Sequence, residues 1–371
     1  MTLNRSSGMT PEIDVAAGDV ATGAFSGSPL GSARLKERNS DFVVDELLPF
    51  EPRGEGGHQL LCVRQDGWNS ASVARWLAGA LGCPVREIGY CGHKDRHAVT
   101  TQYFSAPASS VPEDALTGLD WPQGLSLVSA ARHDKKLKRG VHLGNRFKIR
   151  LRQVDAAEDA VGQRLTCIAR YGFPNSFGSQ RFGREGGNVE RARRLLSSRS
   201  FRRSRNAAQS IEVSSLRSML FNQVLAARVG NASWLEPMED DLMILDGTRS
   251  FFAAPPRDAR HDDLDARVLA GDLHVSGPLW GLPGARLPQG LLARERELLS
   301  EFASDLELLE KRRFGMERRP LRALAKDLSW NWTDKGVLEL DFSLGRGSYA
   351  TALLSLLFDL DDRVANGAAA R

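Results

Sequence analysis

The chain has 371 residues, 42% of them hydrophobic and 26% charged, with a formal net charge of +4. That length suffices for two ordinary domains with cores of their own, and the balance is that of a globular chain, not a fibrous or low-complexity one. No apolar run approaches the about 20 residues of a membrane-spanning helix, and the mild positive charge hints at an anionic partner.

Residues 1–31 are rich in Gly, Ser, Thr and Ala and lack the apolar stretch of a secretory signal, which predicts a disordered lead-in. Asn69 is placed to cap a helix whose apolar positions Val73, Trp76, Leu77, Ala80 and Leu81 follow 3.6-residue spacing, with Gly82 and Pro84 as its stop. A strand is predicted over residues 101–105. Residues 146–152 alternate, with Phe147, Ile149 and Leu151 facing one way and Arg146, Lys148, Arg150 and Arg152 the other. This predicts a strand with one apolar and one basic face. Helical patterns follow at 159–170, 188–196, 215–229 and 291–314, while 231–237 and 253–260 read as loops. Residues 337–344 alternate again, with Leu338, Leu340, Phe342 and Leu344 on one side. Strands therefore gather towards both ends, with helix-rich sequence between and no internal repeat. The layout predicts an α+β chain in which one mixed sheet is built from both ends around an insertion. Cys62, Cys83, Cys91 and Cys167 form no C-x-x-C pair and read as reduced thiols, neither a disulfide frame nor a zinc site. Cys91 reads as a small packed residue, and reduced thiols suit the cytoplasm.

The densest chemistry lies in Gly92-His93-Lys94-Asp95-Arg96-His97-Ala98-Val99-Thr100-Thr101-Gln102. One carboxylate, Asp95, stands among Lys94, Arg96, His93 and His97. Neighbouring cations favour the ionised carboxylate, which can serve as nucleophile or base. The same residues also fit a surface loop whose charges satisfy one another. Three basic regions accompany it: Arg132, Lys135, Lys136, Lys138 and Arg139; Arg191, Arg193, Arg194, Arg202, Arg203 and Arg205; and Lys311, Arg312, Arg313, Arg318 and Arg319. Each alone reads as a solvated face. Together, beside candidate site motifs, they suit contacts to nucleic-acid phosphates, which position without reading sequence.

The 92–102 stretch resembles the GxKDxxAxTxQ signature of the TruD family, the tRNA pseudouridine-13 synthases. Asp41-Phe42-Val43-Val44-Asp45-Glu46 with Phe50-Glu51-Pro52-Arg53-Gly54-Glu55-Gly56 resembles the family's N-terminal motif. Leu143-Gly144-Asn145-Arg146-Phe147 is similar to its G-N-x-F motif, and Pro174-Asn175-Ser176-Phe177-Gly178-Ser179-Gln180-Arg181-Phe182-Gly183 to its P-N-x-F-G-x-Q-R-F-G motif. Leu220-Phe221-Asn222-Gln223, Leu328-Ser329-Trp330-Asn331-Trp332 and Gly347-Ser348-Tyr349-Ala350-Thr351 follow in the family's order. The resemblance covers residues 30 to 357, nearly the whole chain.

The resemblance implies a pseudouridine-synthase core, at 32–170 and 323–360, carrying an inserted α/β TruD-specific domain at 171–322, with the active cleft between them. It implies isomerisation of uridine 13 in the tRNA D arm, needing no metal or dissociable cofactor. The implied partner is tRNA, with no membrane and no obligate protein partner. Asp95 becomes the essential carboxylate, acting either on C1′ directly or on the C2′ proton to give a glycal. Lys36, six residues before Phe42, falls at the family's lysine position, where it holds Asp95 ionised or contacts phosphate. Asn145 and Phe147 sit two apart and so share a strand face; by resemblance they meet the extruded uracil, although alternation alone makes Phe147 a core residue. Phe42 and Tyr349 match positions near the substrate. The family usually has Phe where this chain has Tyr349, and often Arg where it has Ser355; Lys36 or another cation must then compensate. Two other readings are an RNA-binding protein without turnover and a carboxylate-dependent glycosidase. Retention of Asp95, Lys94, Asn145 and Phe147 argues against the first. The absence of an evident paired general acid argues against the second.

Overall fold

Strands from both ends of the chain close into one sheet. The computed structural model describes residues 28–111, 118–201, 207–256 and 259–362, together with Phe25 and Leu116. Most of the predicted lead-in, and Arg202, Arg203 and Arg205, lie outside these residues. The first half contains β1 (Gly31–Leu35), β2 (Phe42–Leu47), β3 (His58–Asp66), α1 (Ser70–Ala80), β4 (Gly89–Tyr90), β5 (Val99–Pro107), β6 (Leu125–His133), β7 (Gly144–Asp155) and α2 (Glu158–Tyr171). The middle holds β8 (Phe173–Pro174), α3 (Gly187–Ser197), α4 (Ala207–Gly230), β9 (Leu242–Leu245), β10 (Phe251–Ala253), α5 (Ala259–Leu269), β11 (Leu273–Leu279), α6 (Gln289–Leu298), α7 (Ala303–Lys311) and β12 (Glu317–Pro320). The chain ends in β13 (Arg322–Ala323), β14 (Ala325–Asp334), β15 (Val337–Gly345), α8 (Ala350–Leu357) and β16 (Phe358–Asp362).

The main sheet has ten strands in the order β14-β15-β7-β2-β5-β3-β6, with β1 and β16 added beside β7 and β4 beside β5. It is mixed: β2 runs parallel to β5 and β1 parallel to β16, while β7 is antiparallel to both β2 and β15. A second sheet, β10-β9-β11-β12, lies wholly within the middle of the chain, and β8 pairs with β13 where the chain leaves and rejoins the main sheet. None of the described helices is long and apolar enough to cross a membrane.

The local signals work as expected where they are local. The Asn69 side chain accepts the Ser72 amide at 2.9 Å, and α1 buries Val73, Ala74, Leu77 and Ala78 against Leu61, Val63 and Phe104 of the sheet. The apolar faces of β7 and β15 meet Val161, Leu165 and Ile168 of α2 and Leu353, Leu354 and Leu357 of α8 in a second core. Gly31, the last residue of the predicted lead-in, instead opens β1. A Cβ there would stand 1.7 Å from the Asp155 carbonyl oxygen, so the close approach of β1 to β7 requires glycine.

Two expectations change, and a third, the two-faced strand β7, holds but gains partners. The predicted helix at 291–314 breaks at Leu299, after which a turn at Ser300–Phe302 leads into α7. The break lets Leu299, Leu306 and Leu309 all enter one core, and no Gly or Pro marks it locally. The loop expected at 253–260 already contains the start of α5. The basic face of β7 is not free: Arg146 and Arg150 pair with Asp341 and Glu339 of the neighbouring β15, and Arg152 pairs with Asp41.

The Arg152–Asp41 pair supports the β2–β7 junction, with two nitrogens 2.8 and 3.0 Å from a carboxylate that is fully buried. Burial opposes the charge on Asp41, but the Arg152 guanidinium and the Arg38 amide outweigh it and hold the carboxyl below its usual value. Arg152→Met should therefore cost about 3 kcal/mol in urea unfolding at pH 7, the scale of a buried charge left unpaired. A carboxyl depressed in the folded state stabilises above its unfolded value of about 3.9, and that stabilisation is lost as pH falls through the folded value. The gap between variant and wild type should accordingly shrink on acidification.

Candidate active site

Gln102, the last residue of the signature, fixes the loop that carries Asp95. From β5 its amide nitrogen donates to the Gly92 carbonyl at 2.8 Å, and its amide oxygen accepts the Ser70 hydroxyl at 2.7 Å. Ser70, at the start of α1, in turn accepts the Lys94 amide at 2.8 Å. The backbone is thus held at Gly92 and Lys94, immediately before Asp95. The Asp95 Oδ1 then accepts the His97 amide at 3.1 Å.

The cation that pairs with Asp95 is not one of its neighbours in sequence. Lys94 turns to Glu46 and Asn145, Arg96 donates to the Gly67 carbonyl at 3.1 Å, and His93 meets Arg139. The partner is Lys36, 59 residues away, whose Nζ bonds the Asp95 Oδ2. Lys36 has a left-handed backbone (φ 56), uncommon for a residue with a side chain, and its side chain is only 5% exposed. Its Nζ also sits 4.5 Å from the centre of the Phe42 ring. The Asp95 side chain, by contrast, is 44% exposed. A buried cation behind an open carboxylate leaves that carboxylate oriented yet accessible. Burial works against the charge on Asp95, but the Lys36 ammonium, aided by the His97 amide, outweighs it and holds the carboxyl below the usual carboxylate range.

A second ion pair lies alongside. Lys94 Nζ stands 3.5 Å from a Glu46 carboxylate that is fully buried, and it bonds the Asn145 side-chain oxygen. Glu46 also accepts the Tyr103 amide at 3.2 Å and the Gln102 amide at 3.3 Å. Burial pushes Glu46 up and Lys94 down from their ordinary values, and their mutual attraction opposes both shifts. Beside them His142 is driven down to about 4, by burial first and then by Lys94 and Arg346. Glu46 carried no role in the sequence reading. Its signal is phase: Phe42, Val44 and Glu46 all point inward on β2, and a carboxylate in that series requires a buried cation.

Register joins the two pairs. Glu46 lies opposite Asn145, Val44 opposite Phe147, and Phe42 opposite Ile149. Phe147 is 7% exposed, stacked on Phe342 at 5.5 Å and edge-on to Phe42 at 6.0 Å. Lys36, Phe42, Asp95, Asn145 and Phe147 thus form one neighbourhood with Glu46 and Lys94. The Tyr349 ring lies 5.9 Å from that of Phe177. Its loop leaves β15 after Gly345, which pairs with Gly144, the neighbour of Asn145. Ser355 bonds the Thr351 carbonyl within α8.

Much of the predicted basic character is already engaged. Arg139 lies 4.4 Å over the Tyr90 ring, Lys136 bonds the Arg86 carbonyl, Arg193 pairs with Asp305, and Arg318 pairs with Glu295. Lys135 and Lys138 remain exposed.

A family model described as tRNA pseudouridine synthase D (TruD) matches residues 25–196 and 197–356. The chain is 41% identical over 352 residues to the tRNA pseudouridine synthase D of Xanthomonas euvesicatoria, covering 91% of this chain and 94% of that one. With the protein of the same description from Methylococcus capsulatus it shares 39% over 328 residues, covering 88% and 91%. The crystal structure of a putative tRNA pseudouridine synthase D from Methanosarcina mazei matches with a TM-score of 0.68 over 90% of this chain and 95% of that one. At 19% identity this last match is a likeness of fold.

The Lys36–Asp95 pair makes a prediction independent of any reaction. In Lys36→Met, burial acts on Asp95 without the ammonium that opposes it. The Asp95 titration, followed by carbon-detected NMR of its carboxyl, should move up from its wild-type position to at least the ordinary value of about 3.9. An unmoved titration would mean that another group holds the charge.

Proposed function

Because the chain belongs to the TruD family of tRNA pseudouridine synthases, we propose that Asp95 is the carboxylate through which it converts uridine 13 of the tRNA D arm to pseudouridine. The observation that carries this reading is the open, ionised Asp95 held by the buried Lys36 beside an aromatic and amide wall. The isomerisation breaks the N1–C1′ bond, turns the uracil and joins C5 to C1′. The C5 proton is lost and N1 gains one, so the step is redox-neutral and consumes no water. Asp95 acts on the ribose, by adding to C1′ or by taking the C2′ proton. Either route needs an ionised carboxylate, which Lys36 secures.

A uridine in a folded arm is stacked and must be turned out before this chemistry can occur. In this reading Phe42 and Phe147 form the apolar wall that receives the base, Asn145 bonds its edge, and Tyr349 lies beside it. Asn145 is fixed for that task by Lys94, itself anchored on Glu46. We assign residues 32–170 and 323–360 to the catalytic core and 171–322 to the insertion. Sheet membership supports this division, since β14 to β16 join strands of the first half while β9 to β12 pair among themselves. We place the protein with its tRNA in the cytoplasm.

Asp95→Asn keeps the size but removes the charge. Pseudouridine formation on uridine-13 tRNA should fall at least about 10³-fold, the scale of losing a reacting group, with tRNA binding largely kept. Near-normal turnover would reject the role. Phe147→Ala separates two functions of one ring. Its burial against Phe342 and Phe42 predicts a loss of about 3–5 kcal/mol in unfolding. If the ring also meets the base, turnover of the protein that remains folded should fall far more than tRNA affinity. Intact turnover in that fraction would leave Phe147 a core residue alone.

A further inference from the structure

We infer that Arg319 and Arg181, beside Tyr349, form a seat for one RNA phosphodiester adjoining the extruded uridine; this rests on the tRNA pseudouridine synthase reading above. Arg319 reaches from β12 to the loop that follows β15. It donates to the Gly347 carbonyl at 2.9 Å and to the Asn175 carbonyl at 3.0 Å, and it also bonds the Asn175 side-chain oxygen. These three bonds leave two of the five N–H donors of a guanidinium unused. One of them, on Nε, is buried without a hydrogen-bond partner. The guanidinium lies 4.2 Å from the Phe177 ring and 5.3 Å from the Phe221 ring. Arg181 stands 5.6 Å from the same Phe177 ring and, among the described residues, its guanidinium donates to hydroxyls alone, those of Ser218 at 3.3 Å and Ser214.

Among the described residues, neither guanidinium has a carboxylate partner. The contrast with other arginines is direct. Arg318, next in the chain, is met by both oxygens of Glu295 at 2.8 Å, and Arg193 is met by Asp305. Burial pulls Arg319 down to about 10, with Tyr349 opposing and Arg181 adding to the depression. Two cations packed around one ring without an anion are an unbalanced arrangement, and a forked guanidinium suits phosphate oxygens. Tyr349, 39% exposed and 5.9 Å from that ring, offers an aromatic surface beside the charge. The loop carrying Gly347 and Tyr349 departs from the sheet next to Asn145, which places the pair close to the uridine site. Two cations without a carboxylate among the described residues, next to an open aromatic ring, suit a nucleotide linkage, not a carboxylic metabolite.

The test is a coupling cycle on binding, with pseudouridine formation measured separately. Full-length tRNA is prepared with a single neutral methylphosphonate at each linkage within two nucleotides of the target uridine. Wild-type protein should lose about tenfold in affinity at one linkage, the loss expected of one charge-assisted contact. Arg319→Gln should lose a similar factor on unmodified tRNA, lower the salt slope by about one, and lose nothing further at that same linkage. Losses that multiply at every linkage would overturn the assignment. Should Arg319→Gln fail to fold, Arg319→Lys and Arg181→Gln carry the same cycle, because each weakens the fork while retaining the surrounding packing. Wild-type protein that binds tRNA but forms no pseudouridine would reject the function reading alone, since the phosphate seat stands or falls on the binding cycle.

Discussion

The site depends on an asymmetry in one ion pair: the cation is buried and the anion is open. Had Lys36 been as exposed as Asp95, solvent would screen the pair to a fraction of a kcal/mol and leave both side chains mobile. Burying the lysine against Phe42 removes that freedom and aims the remaining attraction at one oxygen of Asp95. The second oxygen is fixed by the His97 amide. The carboxylate is therefore ionised, immobilised and accessible at once, three properties that oppose one another unless the counterion comes from behind.

Contacts from several elements place that pair. The loop bearing Asp95 has no regular structure of its own between Gly92 and Ala98, yet Gln102 and Ser70 tie its backbone to β5 and α1. Lys36 reaches it from the end of β1, a strand held between β7 and β16 and so dependent on both ends of the chain. The buried Glu46–Lys94 pair is costly to desolvate and would be worth little as a stabiliser. Its role in the geometry is to hold Asn145 at the rim of the same neighbourhood.

The middle of the chain interrupts the sheet without disturbing it. β8 and β13 pair at the two crossing points, so departure and return are adjacent. Arg322 lies at that junction, buried, with its guanidinium bonded to the Tyr171, Val268 and Leu273 carbonyls. A planar donor fork in contact with several carbonyls is a rigid joint, and β12 is tied to the loop of Tyr349 separately, by the bond from Arg319 to the Gly347 carbonyl.

Periodicity and capping made much of this legible in advance. The cap at Asn69, the alternation of β7 and β15, the helices α2 and α3 and the later part of α4 follow from residues a few positions apart, because each reports the phase of a single element; α4 begins at Ala207, ahead of the expected 215. The motifs from Phe42 to Tyr349 marked the family and the candidate carboxylate. What the sequence could not determine is which charges meet. Reading along the chain surrounds Asp95 with Lys94, Arg96 and His93 and leaves Lys36, named by its family position, with either the carboxylate or a phosphate, whereas folding turns the first three elsewhere and brings Lys36 to Asp95 from 59 residues away. It likewise presents a basic face on β7 that the carboxylates of β15 neutralise, and a regular helix at 291–314 that breaks at Leu299. Coulomb attraction and packing act through space, so their partners are set by strand register and loop path, which only the tertiary structure decides.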